Sequence, residues 1–146
     1  MFKTIVVGTD GSETAKVAVQ HATELAQAAG AELHLVMSAS GVSEARLREE
    51  RRGAPDDVQH SINPTEDTEA QLEEVAKSIG DDVKVSTHAK EGDPADAIID
   101  VAEHNGADLI VVGNKGMTGA KRFFLGAVPN KISHHAPCSV LIVRTT

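Results

Sequence analysis

Two short runs, "IVVG" at 5–8 and "LIVVG" at 109–113, are apolar and rich in β-branched residues, with no polar alternation. A strand with one face in water alternates, whereas a strand covered on both faces does not. Both runs are therefore expected to be interior strands with helices packed above and below. "ELHLVMS" at 32–38 reads as another strand, and "VKVSTHA" at 83–89 alternates as a half-exposed edge strand would. "SVLIV" at 139–143 closes the series and reads as buried on both sides.

Helical patterns separate these strands. Ala15, Ala18, Val19, Ala22, Leu25, Ala26 and Ala29 recur at helical spacing, Asp10-x-x-Glu13 offers a cap, and Gly30 a stop. Leu72, Val75, Ala76 and Ile79 form the stripe of a helix over 66–79. Pro94 opens a third helix that closes at Asn105-Gly106, and a short fourth helix begins near Gly126. Residues 39–64 are poorly patterned, with a charged stretch at 44–52 and breaks at Gly53, Pro55 and Pro64. Such a long connection suits a lid or a mobile segment.

Strands alternating with helices at this spacing predict an α/β fold: one doubly wound, five-stranded parallel sheet in the order 3-2-1-4-5, helices on both faces. The 146 residues suit a single domain spanning 1–146. In that order the 139–143 strand lies at an open edge. An apolar edge needs cover, so a homodimer pairing along it is expected, the alternative being shielding by 39–64.

Composition narrows the function. The net charge is −8, and every acidic residue lies at or before Asp108. Residues 109–146 carry Lys115, Lys121, Arg122, Lys131 and Arg144 and no acid. An acidic chain with three Phe and no Tyr or Trp is a poor nucleic-acid binder. No apolar run approaches the ~20 residues needed to span a bilayer, so no membrane partner is expected. One cysteine, Cys138, allows no internal disulfide and agrees with a reducing, cytoplasmic setting. The basic tail could attract an anion or simply decorate a solvated face.

Ligands of a doubly wound sheet sit beyond the carboxyl ends of the strands, where the order reverses. Here that point lies between strands one and four, which end at Gly8-Thr9-Asp10 and Val112-Gly113. The second of these runs into "GNKGMTGAKRFFLGA", residues 113–127. Gly113 and Gly116 permit unusual backbone angles and close approach of a ligand to bare N–H groups. Gly126 precedes a helix whose Ala127 and Val128 amides could face an anion, and Lys115, Lys121 and Arg122 could neutralise it. The spacing alone equally suits ordinary turn glycines. Asp10 could cap the first helix, contact a ligand, or do both. His134 and His135 are neighbours pointing about 100° apart and, with Cys138, lack a fourth ligand; helix-end histidines without metal are the expected reading. Cys138 is expected to be a packed thiol, and Phe123, Phe124 and Leu125 loop anchors.

The loop resembles the Gly-x2-Gly-x9-Gly-(Ser/Thr) pattern of nucleotide-binding members of the universal stress protein family, with Gly113, Gly116 and Gly126 in register. "IVVGTDGSETA", "EGDPADAII" and "HHAPCSVLIV" are similar to that family's opening turn, third helix and closing segment. The resemblance implies an adenine nucleotide alpha hydrolase-like fold binding ATP, AMP or cyclic AMP, with Mg²⁺ as a possible companion. It places phosphates on the backbone of Gly113, Asn114, Lys115 and Gly116 and of Gly126, Ala127 and Val128, and counts Val112, Met117 and Arg122 among the nucleotide-binding residues. Gly8, Thr9 and Asp10 would face base or ribose, and Ser38 and Ala39 would offer backbone groups to adenine. Ala127 departs from the pattern's Ser or Thr and removes one hydroxyl donor, which costs about 1.5–3 kcal/mol toward a charged phosphate.

Three functions remain open at this stage. One is a non-enzymatic, dimeric sensor or buffer of adenine nucleotides in stress adaptation, acting through an unidentified protein partner. Another is a slow ATPase or phosphotransferase, disfavoured by a loop without carboxylate or histidine. The third is a nucleotide-independent interaction dimer, against which the intact glycines argue. A receiver domain would need an acceptor Asp after the third strand, which "VSTHAKEG" does not supply.

Overall fold

The computed structural model describes residues 2–39, 64–114 and 127–145. Nine elements follow one another: β1 (Thr4–Gly8), α1 (Glu13–Ala29), β2 (Glu32–Ser38), α2 (Pro64–Ile79), β3 (Val85–Lys90), α3 (Pro94–His104), β4 (Leu109–Gly113), α4 (Ala127–His135) and β5 (Ser139–Val143). The strands form one sheet in the order β3-β2-β1-β4-β5, every neighbouring pair parallel. This is the order that strands alternating with helices predict.

The runs lack alternation because the sheet has two dry faces. Ile5 and Val7 pack with Leu33, Leu35 and Met37 under α1 and α2, where Ala18, Ala22 and Leu72 close the core. Val6, Val36, Ile110 and Val112 point the other way, against Ile98 and Val101 of α3 and Ile132 of α4. Cys138 joins this second core as a partly buried thiol; burial, then the charge of Asp108, pushes its pKa up.

Local chemistry sets the helix ends. Ser12, not Asp10, is the N-cap of α1, its hydroxyl accepting the Ala15 amide at 3.2 Å. Asp10 acts one step earlier, accepting the Ser12 amide at 2.9 Å in a local turn. The expected Asp10-x-x-Glu13 cap is thus corrected: the turn already occupies the Asp10 carboxylate, and Ser12 stands where the helix amides converge. Gly30 ends α1 in the left-handed region at φ 66. Asp93 caps α3 with Pro94 in its first turn.

In the single chain the outer strand β5 is partly open: Ser139 and Leu141 are exposed, and only Val143 is fully covered. Val140 and Ile142 pack toward α3 and α4. Leu141 points to the opposite face, where α1 lies mainly over β1 and β4, and remains 37% exposed. The charged stretch at 44–52 lies outside the described residues, as does any shielding of this edge by 40–63. Among the described residues no helix is long and apolar enough to cross a membrane.

Candidate functional site

The carboxyl ends of β1 and β4 lie side by side, Val7 pairing with Val111. At the end of β1 the Thr9 amide donates to the Val36 carbonyl at 2.9 Å. The Thr9 hydroxyl accepts the Gly11 amide at 3.1 Å, and Gly11 takes φ 81. These bonds swing the chain into α1 and leave Asp10 half-buried at the helix mouth. On the other side Val112 and Gly113 end β4, and Val128 begins the buried face of α4.

Together Gly8, Asp10, Thr14, Ala15, Val112, Gly113, Val128 and Thr145 line one crevice. The part these residues enclose is only about 20 Å³, roughly a water's worth. They therefore form the floor of a site rather than a whole one. Asp10 is the carboxylate on that floor. Gly113 keeps ordinary extended backbone and makes no use of the conformational freedom that glycine permits. It matters as a bare Cα: a Cβ there would stand 3.2 Å from Thr145 Cγ2. Helix α4 starts at Ala127, and Pro129 brings no N–H, so the Ala127 and Val128 amides are the donors of its first turn.

The other expected residues fall elsewhere. Thr9 is buried and lines a groove between α1 and α2 with Val19, Gln20, Val75 and Ile79. Ser38 and Ala39 are buried at the end of β2, and the Ser38 hydroxyl donates to the Gly92 carbonyl. Asn114 bonds to Thr145 beside the crevice. Lys115, Gly116, Met117, Arg122 and Gly126 lie outside the described residues, as do Lys121 and Phe123–Leu125. The groove between α1 and α2 is larger, about 530 Å³, but only Thr9 brings a strand end to it, whereas Gly8, Val112 and Gly113 meet in the crevice at the switch point.

Charge around the site is arranged by pairing. Lys131 of α4 lies 2.9 Å from Asp96 and 3.3 Å from Asp93. Asp96 first, then Asp93, raises its pKa, so its charge is already matched by carboxylates. His134 and His135 stand with rings 6.4 Å apart and tilted by 57°. Among the described residues no group of three His, Cys, Asp or Glu side chains is arranged to hold a metal ion. Thr14, Ala15 and Thr145 are crevice residues that sequence reasoning missed. The signal for Thr145 was present in the strand order: β5 parallel to β4 must end beside Gly113.

The profile described as the universal stress protein family matches residues 1–144. A universal stress protein of Mycobacterium tuberculosis is 35% identical over 157 residues, covering 99% of this chain and 98% of the relative. Among solved structures, a universal stress protein in complex with cAMP is 29% identical with TM-score 0.71, covering 99% of this chain and 98% of the other. A second structure, of a hypothetical protein described as a test case for assigning biochemical function, is 27% identical with TM-score 0.75, covering 99% and 96%. The chain belongs to the universal stress protein family.

Proposed function

We propose that this protein binds an adenine nucleotide at the switch point and acts, without turnover, as a dimeric cytoplasmic sensor or buffer in stress adaptation. The observation that carries this reading is the convergence of Asp10, Gly113 and the start of α4 on one crevice floor. Acceptors on the β1 side suit ribose hydroxyls or base N–H groups. Bare backbone at Gly113 and the first-turn amides of α4 suit phosphate oxygens. The family's cAMP complex, at 29% identity, supports the ligand class. Phosphates are assigned to the backbone of Gly113–Gly116, apart from the Asn114 amide that Val143 already accepts, and of Gly126–Val128, and adenine to the end of β2 near Ser38 and Ala39. Ala127 offers no hydroxyl, which favours ligands with fewer phosphate oxygens, AMP or cyclic AMP, over ATP.

Calorimetric titration with ATP, AMP and cyclic AMP, with and without Mg²⁺, tests the reading. The expected order is AMP or cyclic AMP tighter than ATP. Absence of heat at millimolar ligand overturns it. A Gly116→Val variant that binds as tightly as the natural chain overturns the cradle.

A further inference from the structure

Asn114, the first residue beyond β4, is fastened to the end of β5 at three points. Its amide donates to the Val143 carbonyl at 2.9 Å, one step past the Gly113–Val143 register pair. Its side-chain Oδ1 then accepts twice from Thr145: from the backbone N–H at 2.8 Å and from the hydroxyl at 3.0 Å. The side chain thus supplies the acceptor that the next backbone carbonyl of a parallel ladder would supply. Thr145 also forms crevice wall, its methyl against the bare Cα of Gly113.

We propose that Asn114 and Thr145 are positioning residues for the nucleotide site. They fix where the chain leaves β4, with Thr145 set against the bare Cα of Gly113 on the crevice floor. The proposal rests on the nucleotide reading above. The residue types fit the task. Two bonds at one oxygen hold the Asn114 amide in a single orientation. An Asp at 114 would keep both acceptor bonds but set a negative charge beside an anion site. A Ser at 145 would keep the hydroxyl bond and lose only the methyl contact; a Val would keep the bulk and lose the bond.

The test titrates AMP into the full-length chain and four variants, with thermal midpoints recorded alongside. Asn114→Ala, which loses both side-chain bonds, is expected to bind about tenfold more weakly, and Thr145→Val about threefold. Thr145→Ser is expected to stay within about twofold of the natural chain, since it retains the bond. Asn114→Asp is expected to keep the natural midpoint at pH 7 while binding more weakly, a split that a purely structural role does not produce. Equal affinity of Asn114→Ala and the natural chain overturns the positioning role and leaves the nucleotide reading standing. A natural chain that binds no adenine nucleotide overturns both. If Asn114→Ala does not fold, Thr145→Val against Thr145→Ser decides, and equal affinities there overturn the proposal.

Discussion

His34 Nδ1 lies 2.8 Å from His88 Nε2 across the β2–β3 pair, and the two rings stack with centroids 5.1 Å apart. His34 Nε2 meets Glu32 Oε1 at 3.0 Å. A carboxylate only accepts, so His34 Nε2 carries a hydrogen, and the contact between the rings has room for one proton. Lys84 faces Glu32 at 3.8 Å. Lys90 and His104 share Asp100 at 3.7 and 3.1 Å on the neighbouring stretch of β3 and α3. Burial first, then the charges of His34 and Lys90, holds His88 below the ordinary histidine range.

This pair is expected to make the fold acid-sensitive near neutrality. Because the folded pKa of His88 is lowered, the unfolded chain binds more protons once pH falls below about 6.5. Stability is complete above that value and declines as pH falls toward the folded value. Glu32 adds a second loss at lower pH: its pKa is lowered, mainly by the His34 hydrogen bond, so its contribution fades below its own ordinary range. Urea midpoints at pH 7.5 and 5.5 are expected to differ in the natural chain and to differ less in His88→Gln. Equal midpoints in the natural chain would contradict the coupling.

Ser12→Ala removes the hydroxyl that caps α1 while leaving the Asp10 turn, which uses the Ser12 backbone. The expected cost is about 1 kcal/mol, measured by urea unfolding. A loss below about 0.3 kcal/mol would show that water replaces the cap without penalty.

Ile110 is 0% exposed in β4 and packs against α3 and α4. Ile110→Ala is expected to cost about 2–5 kcal/mol through lost burial and the cavity left behind. Leu141→Ala on the outer strand is expected to cost far less. A reversed ranking in chemical denaturation would mean that β5 is a core strand in solution.

Leu141 also tests assembly. If β5 pairs with a second copy, the natural chain sediments as a dimer, and Leu141→Lys, which puts a charge on that edge, sediments as a monomer with a similar fold by circular dichroism. Identical masses for the two would remove β5 from the interface.

Much of the architecture was legible because burial on both faces leaves a plain trace. Ile5, Val6 and Val7 are all apolar since adjacent side chains enter opposite cores. The cap of α1 was not legible, because Asp10 and Ser12 both make local side-chain turns and only backbone geometry decides between them. The exposure of Leu141 in the single chain was hidden because an unbroken apolar run does not reveal how far α1 reaches over the outermost strand. Gly8, Asp10, Val112, Gly113 and Val128 could be brought together from strand order alone. Thr145 could have been added from the same order, but the His34–His88 contact required knowing the register of β2 on β3, which no local pattern contains.

The crevice joins the carboxyl ends of β1 and β4, and at the opposite end of the same two strands the bond from the Lys3 amide to the Asp108 carboxylate spans 105 positions of sequence. Contacts of such long range form late, because the intervening loop must be closed before they contribute. During synthesis the crevice floor cannot assemble until β4 and α4 have emerged. A ligand held there recognises only the finished fold, and at a hundred times its dissociation constant it would add about 2.7 kcal/mol of stability by mass action. Occupancy of the crevice would therefore also be a readout of folding quality, distinguishing complete chains from those still lacking their last strands.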